Sequence, residues 1–134
     1  MGACYDIKLK IKVKDEASVI KVLQERIKRN TEYRGVNYSL EKFAEEGVGT
    51  ETLEDLLKIF LAGFNSNSYD YKKKKKGTIH IRNRFNASYG WESEMMGMFA
   101  DIVPFLKDGS KFYICPDNCY DLMIVENGKY KQVH

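Results

Sequence analysis

With 134 residues and a hydrophobic share of 43%, the chain is long enough for one core and too apolar for a disordered segment. Its 22 Lys and Arg against 19 Asp and Glu leave a net charge of +3, so the chain as a whole is not a polycation, and no apolar run approaches the roughly 18 residues of a membrane span. Three cysteines, in a chain that opens on a strand pattern without an apolar export segment, predict reduced thiols in a cytoplasmic protein.

The first element is the clearest. Residues Cys4 to Lys14 read CYDIKLKIKVK, in which Tyr5, Ile7, Leu9, Ile11 and Val13 alternate with Asp6, Lys8, Lys10, Lys12 and Lys14. Successive strand side chains face opposite sides of a sheet, so this pattern predicts one apolar face and one lysine-rich face. Asp15 then suits a helix N-cap, with Val19, Ile20, Leu23 and Ile27 at helical spacing to about Arg29. Ser39 to Gly47 reads as a short helix. A stronger helix starts at Thr50 or Thr52 and carries Leu53, Leu56, Leu57, Phe60 and Leu61 on one stripe.

The run Lys72–Lys76 predicts a solvated loop, because adjacent lysines repel one another. Gly77 marks a bulge or the start of the next strand, in which Ile79, Ile81 and Phe85 face the core while Thr78, His80, Arg82 and Arg84 face out. A helix follows from Ser88 or Gly90 with Trp91, Met95, Phe99, Ile102 and Leu106 on one side, kinked or split by Pro104. Phe112–Cys115, Tyr120–Glu126 and Lys129–Val133 complete an antiparallel meander, with Asn127-Gly128 as a type I′ hairpin signal. The order β-α-α-α-β-α-β-β-β predicts a single α+β domain over residues 1–134, a mostly antiparallel sheet of about five strands with helices on one face.

Charge is segregated along this chain. Residues 72–84 hold seven lysines and arginines and no acid, and residues 41–55 hold six acids against Lys42. If the first strand shares a sheet with residues 78–84, then Lys8, Lys10, Lys12, Lys14, His80, Arg82 and Arg84 form one candidate binding face, with Tyr113 as its outward aromatic and Lys111, Lys129 and Lys131 within reach. Lysines on an open sheet face also serve simply to solvate it and to block edge pairing. Cys115 and Cys119 bracket a turn and could pair under oxidation, but supply only half of a structural zinc site. Glu92 and Glu94 do not converge as an acid pair, being two apart on a helix. His80 is the one imidazole within an element, and no carboxylate is placed to orient it.

The stretch Ile102–Lys129, with IVPFLKDGS, a strand, an acidic turn, a second strand and NGK, resembles the end of small uncharacterised bacterial and phage α+β proteins. The resemblance covers the C-terminal third and rests on structural motifs, so it implies a small accessory protein and no activity. The expectation is therefore a non-enzymatic domain without cofactor or metal. It acts as a protein–protein interaction or inhibitor-type module, monomeric or homodimeric and without a membrane partner; the alternative is a nucleic-acid-binding module that uses the lysine-rich face.

Overall fold

The computed structural model describes residues 2–34, 45, 47, 49–62, 68–88, 90–116 and 120–133. Its first strand, β1 (Gly2–Lys12), follows the alternation read from the sequence: Tyr5, Ile7, Leu9 and Ile11 are buried, and Lys8 and Lys10 are exposed. Burial of side chains of this size stabilises the fold by about 1.5–3 kcal/mol each, so one register of β1 is strongly preferred over a one-residue slip.

Helix α1 (Glu16–Arg34) starts where Asp15 accepts hydrogen bonds from the Ser18 backbone N–H (3.2 Å) and hydroxyl (2.6 Å). It runs past Arg29 because nothing breaks the helix before Gly35. The helix expected over Ser39 to Gly47 falls almost wholly outside the described residues. Helix α2 (Leu53–Leu61) is capped by Thr52, whose hydroxyl accepts from the Asp55 N–H at 3.1 Å, and the five apolar residues of its stripe, Leu53, Leu56, Leu57, Phe60 and Leu61, are all buried.

The lysine run is not simply a loop. Lys72 and Lys73 lie on a strand, β2 (Asp70–Lys73), and residues 74–77 turn into β3 (Thr78–Ser88), closed by Lys74 N–H to Thr78 O (2.8 Å) and Gly77 N–H to Lys74 O (3.0 Å). Gly77 takes a positive φ of 81°, which its lack of a Cβ permits. Repulsion among the lysines is tolerated because each is exposed to water.

Helix α3 (Trp91–Ile102) gives way to a 3₁₀ turn, Val103–Phe105, at Pro104, and the strands β4 (Lys111–Pro116), β5 (Asp121–Glu126) and β6 (Lys129–Val133) follow. Asn127 and Gly128 both have positive φ, as the β5–β6 turn requires. All six strands form one antiparallel sheet in the order β2-β3-β1-β4-β5-β6, one more strand than expected, and the extra one is β2. The three described helices cover the face that carries Tyr5, Ile7, Leu9, Ile11, Ile81, Phe112 and Ile114. The class is α+β.

Polar groups join the helices to each other and to the sheet. The Asn83 amide donates to Leu61 O and the Trp91 indole to Phe60 O, both at 2.8 Å, which fixes the end of α2 against β3 and α3. Arg26 of α1 reaches α3, where Nε meets Glu94 Oε1 and Nη1 meets Asp101 Oδ2, each at 2.9 Å. Glu94 is only 3% exposed, and a side chain at Gly97 would collide with the Arg26 guanidinium. Gly97→Ala should therefore lower stability by about 1–2 kcal/mol, although alanine favours a helix interior by about 1 kcal/mol. Thermal unfolding checks this, and a stabilised variant would show that the Arg26 contact contributes little.

Candidate functional site

The open face of the sheet is built from β1 outward. Residues two apart on a strand share a face and stand about 6.8 Å apart, so Lys8, Lys10 and Lys12 form a ladder along the central strand. The register then carries their neighbours across all six strands. One row reads Lys72 (β2), His80 (β3), Lys10 (β1), Lys111 (β4), Ile124 (β5) and Lys131 (β6). Five of its six positions are Lys or His, and none is a carboxylate. The next row reads Asp70, Arg82, Lys8, Tyr113, Leu122 and Val133 in the same strand order. Cationic side chains directly opposite one another in a ladder are mutually destabilising, and Lys10 has Lys111 on one side, with the His80 imidazole on the other.

The structure thus brings Lys8, Lys10, His80, Arg82 and Tyr113 together. Lys12 stands at the edge of this group, opposite Thr78. Arg84 pairs with Asp6 in the register and hydrogen-bonds the Cys4 side chain, which with the nearby charges favours its protonated form further. Lys14 leaves the sheet: β1 ends at Lys12, and the Lys14 N–H donates to Phe105 O at 2.8 Å, beside the 3₁₀ turn. A shallow concavity of about 430 Å³ lies over the middle of the face, lined by Lys8, Lys10, Lys72, His80, Arg82 and Tyr113 among others.

Tyr113 is not the lone aromatic that the sequence predicts. Its ring stacks on Tyr120, with centroids 5.6 Å apart and planes at 26°, and Lys8 Nζ lies 5.5 Å from the Tyr113 centroid. Tyr120 is 48% exposed. Sequence reasoning missed it because Leu122, Met123, Ile124 and Val125 are all apolar, so alternation does not say which parity of β5 faces out. The register puts Leu122 and Ile124 on the open face, with Met123 and Val125 buried, and Tyr120, just before β5, is placed by its stacking on Tyr113.

Groups outside this face have other duties. Met95 and Met98 are core, and Glu94 belongs to the Arg26 pair. Cys119 falls outside the described residues, so the proposed turn pairing does too. Among the described residues, no three His, Cys, Asp or Glu side chains converge as a metal site, and no helix is long and apolar enough to cross a membrane.

The fold is α+β, with helices on one side of an antiparallel sheet and, among the described residues, no helix on the other. No family model, curated protein or solved structure matches the chain.

The electrostatics of the face can be read at His80. Partial burial, followed by the charges of Lys10, Lys74 and Lys72, holds its pKa below the ordinary 6.5. The unfolded chain therefore takes up the proton first as pH falls through 6.5, so this contribution to stability is present above that value and is lost toward the folded pKa. His80→Gln should flatten the fall in Tm between about pH 7 and pH 5. An equally steep profile in the variant would show that His80 does not feel the neighbouring lysines.

Proposed function

We propose that the protein is a nucleic-acid-binding module that docks the phosphate backbone on the open face of its sheet. The observation that carries this reading is the row that sets Lys72, Lys10, Lys111 and Lys131 across one sheet face, with His80 between Lys72 and Lys10 and Ile124 between Lys111 and Lys131; Asp70 of the next row meets it only at Lys72, 3.7 Å away. Such an alignment lowers stability, and a polyanion laid across it would relieve the repulsion. A row of this kind selects phosphates by charge and carries no sequence information of its own. Lys8 and Arg82 extend it into the neighbouring row, next to Tyr113.

Nothing in this reading requires chemistry on the ligand. His80 is surrounded by cations, which disfavour an imidazolium, and the side chains about it suit binding rather than proton transfer.

Two effects of one substitution test the proposal. Lys10→Glu should raise Tm by about 1–4 °C near neutral pH, because it gives Lys111 an opposite-charge neighbour in place of a like-charge one. Combined with Arg82→Glu, it should weaken binding of every oligonucleotide sequence alike and reduce the magnitude of the log Kd against log salt slope by about 1.4, the share of two single-strand phosphate contacts. Fluorescence anisotropy across a salt series checks this. Affinity that ignores salt, or that survives the double charge reversal, would contradict the proposal.

One observation favours a second reading, that of a protein–protein interaction module. Leu122 and Val133 are paired on the same face, half-buried and 37% exposed respectively, and continue the surface of Tyr113. A protein partner docked there predicts a defined complex that is lost with Leu122→Asp and indifferent to Arg82→Glu.

A further inference from the structure

The nucleic-acid reading leaves open which form of nucleic acid the face takes, and the aromatic edge of the face answers it. Resting on that reading, we infer that the ligand is single-stranded and that one unpaired base stacks on the Tyr113–Tyr120 pair while Lys8, Lys10 and Arg82 hold the flanking phosphates.

Four observations lead there. First, the two rings are already parallel to within 26° and 5.6 Å apart at their centroids, so a planar surface is in place before any ligand arrives. Second, Tyr120 is 48% exposed, and the Tyr113 ring on which it stacks lines the concavity together with Leu122. Third, Lys8 lies 5.5 Å from the Tyr113 centroid, so the aromatic surface and the first cation of the ladder adjoin. Fourth, the sheet sets the distances. Neighbouring strands are about 4.8 Å apart, which places Tyr113 one strand from Lys8 and two from Arg82, about 5 and 10 Å. A nucleotide spans that range from base to phosphate. The two-residue step of about 6.8 Å from Lys8 to Lys10 then matches the advance of an extended strand by one nucleotide.

A duplex can meet the cationic rows with its phosphates but cannot use the aromatic part of this surface. Its base faces are covered by their neighbours in the stack. Stacking on aromatic side chains is open to unpaired bases and tolerates any base, because each has a π face. The open face would therefore hold single strands without strong sequence preference, with Tyr113 and Tyr120 as the selective element and the cationic rows as the general one.

The test compares four labelled or competing probes on the full chain at low salt: single-stranded DNA and RNA of about 12 nucleotides, the same DNA as a duplex, and linear polyphosphate. The expected result is single-strand binding at least about tenfold tighter than duplex binding, and a loss of about 10–100-fold in Tyr113→Leu with Tyr113→Phe within about threefold of the parent. Should duplex, polyphosphate and single strand bind alike, and Tyr113→Leu behave as the parent while salt dependence persists, the stacking inference is overturned and the phosphate reading stands. Should the folded protein bind none of the probes, both are overturned. A second readout needs no variant: Cys115 lies two residues from Tyr113 on the same face and hydrogen-bonds it, so bound single strand should slow its alkylation by iodoacetamide, followed by site-resolved mass spectrometry. Unchanged Cys115 labelling at saturating oligonucleotide also overturns the inference.

Discussion

Alternation along β1 constrains everything else in this molecule. The strand is hydrogen-bonded on both edges, to β3 and to β4, so its register fixes the register of the sheet in both directions. Tyr5, Ile7, Leu9 and Ile11 are almost wholly buried, and a slip of one residue would exchange them for Asp6, Lys8, Lys10 and Lys12. Burying those charges without partners is far costlier than any single contact gains. The same constraint that builds the core therefore aligns the lysine ladder with His80, Arg82, Lys111 and Tyr113. Core and candidate site are two sides of one pattern.

The helices keep the two sides distinct. Arg26 ties α1 to α3 through Glu94 and Asp101, and Arg29 adds a second contact to Asp101 at 3.0 Å. A buried ion pair of this kind is weak evidence of net stability, but it specifies which faces of the helices meet. Gly97 is the local consequence, since a helix interior accepts the less favourable residue where a guanidinium must pass. With α1, α2 and α3 all on the Tyr5 side, the described residues place no helix over the lysine side. An uncovered sheet face with aligned like charges is a poor arrangement for stability alone, which is the physical reason to read it as a surface for an anionic partner.

Much of this was legible in the residues. Strict alternation in β1 and β3 identified the inward and outward sets, because each strand mixes apolar and charged residues at period two. Asn127-Gly128 announced the last hairpin, and Pro104 a break in the helix after Trp91, although the α-helix stops at Ile102 rather than continuing toward Asp108-Gly109. The rest was hidden for specific reasons. Five adjacent lysines look like a loop by repulsion, yet β2 is short, exposed and held by its pairing with β3, a non-local term that local sequence does not report. Lys14 continues the alternation by one step beyond the last sheet pairing, so the pattern overshoots the strand. Tyr120 sits just before β5, whose centre is apolar on both parities, and its place beside Tyr113 is a non-local contact. The lysine ladder was therefore visible in the sequence, and the stacked pair of Tyr113 and Tyr120 was not.

The central claim is that ligand contacts lie on the sheet face opposite the helices. The most direct measurement is a map of backbone amide chemical-shift changes on titration with a short single-stranded oligonucleotide. The account predicts changes concentrated at Lys8, Lys10, His80, Arg82 and Tyr113, on the three adjacent strands β3, β1 and β4, with α1 and α3 unaffected. Changes concentrated on the helices, or none at a saturating concentration, would contradict it.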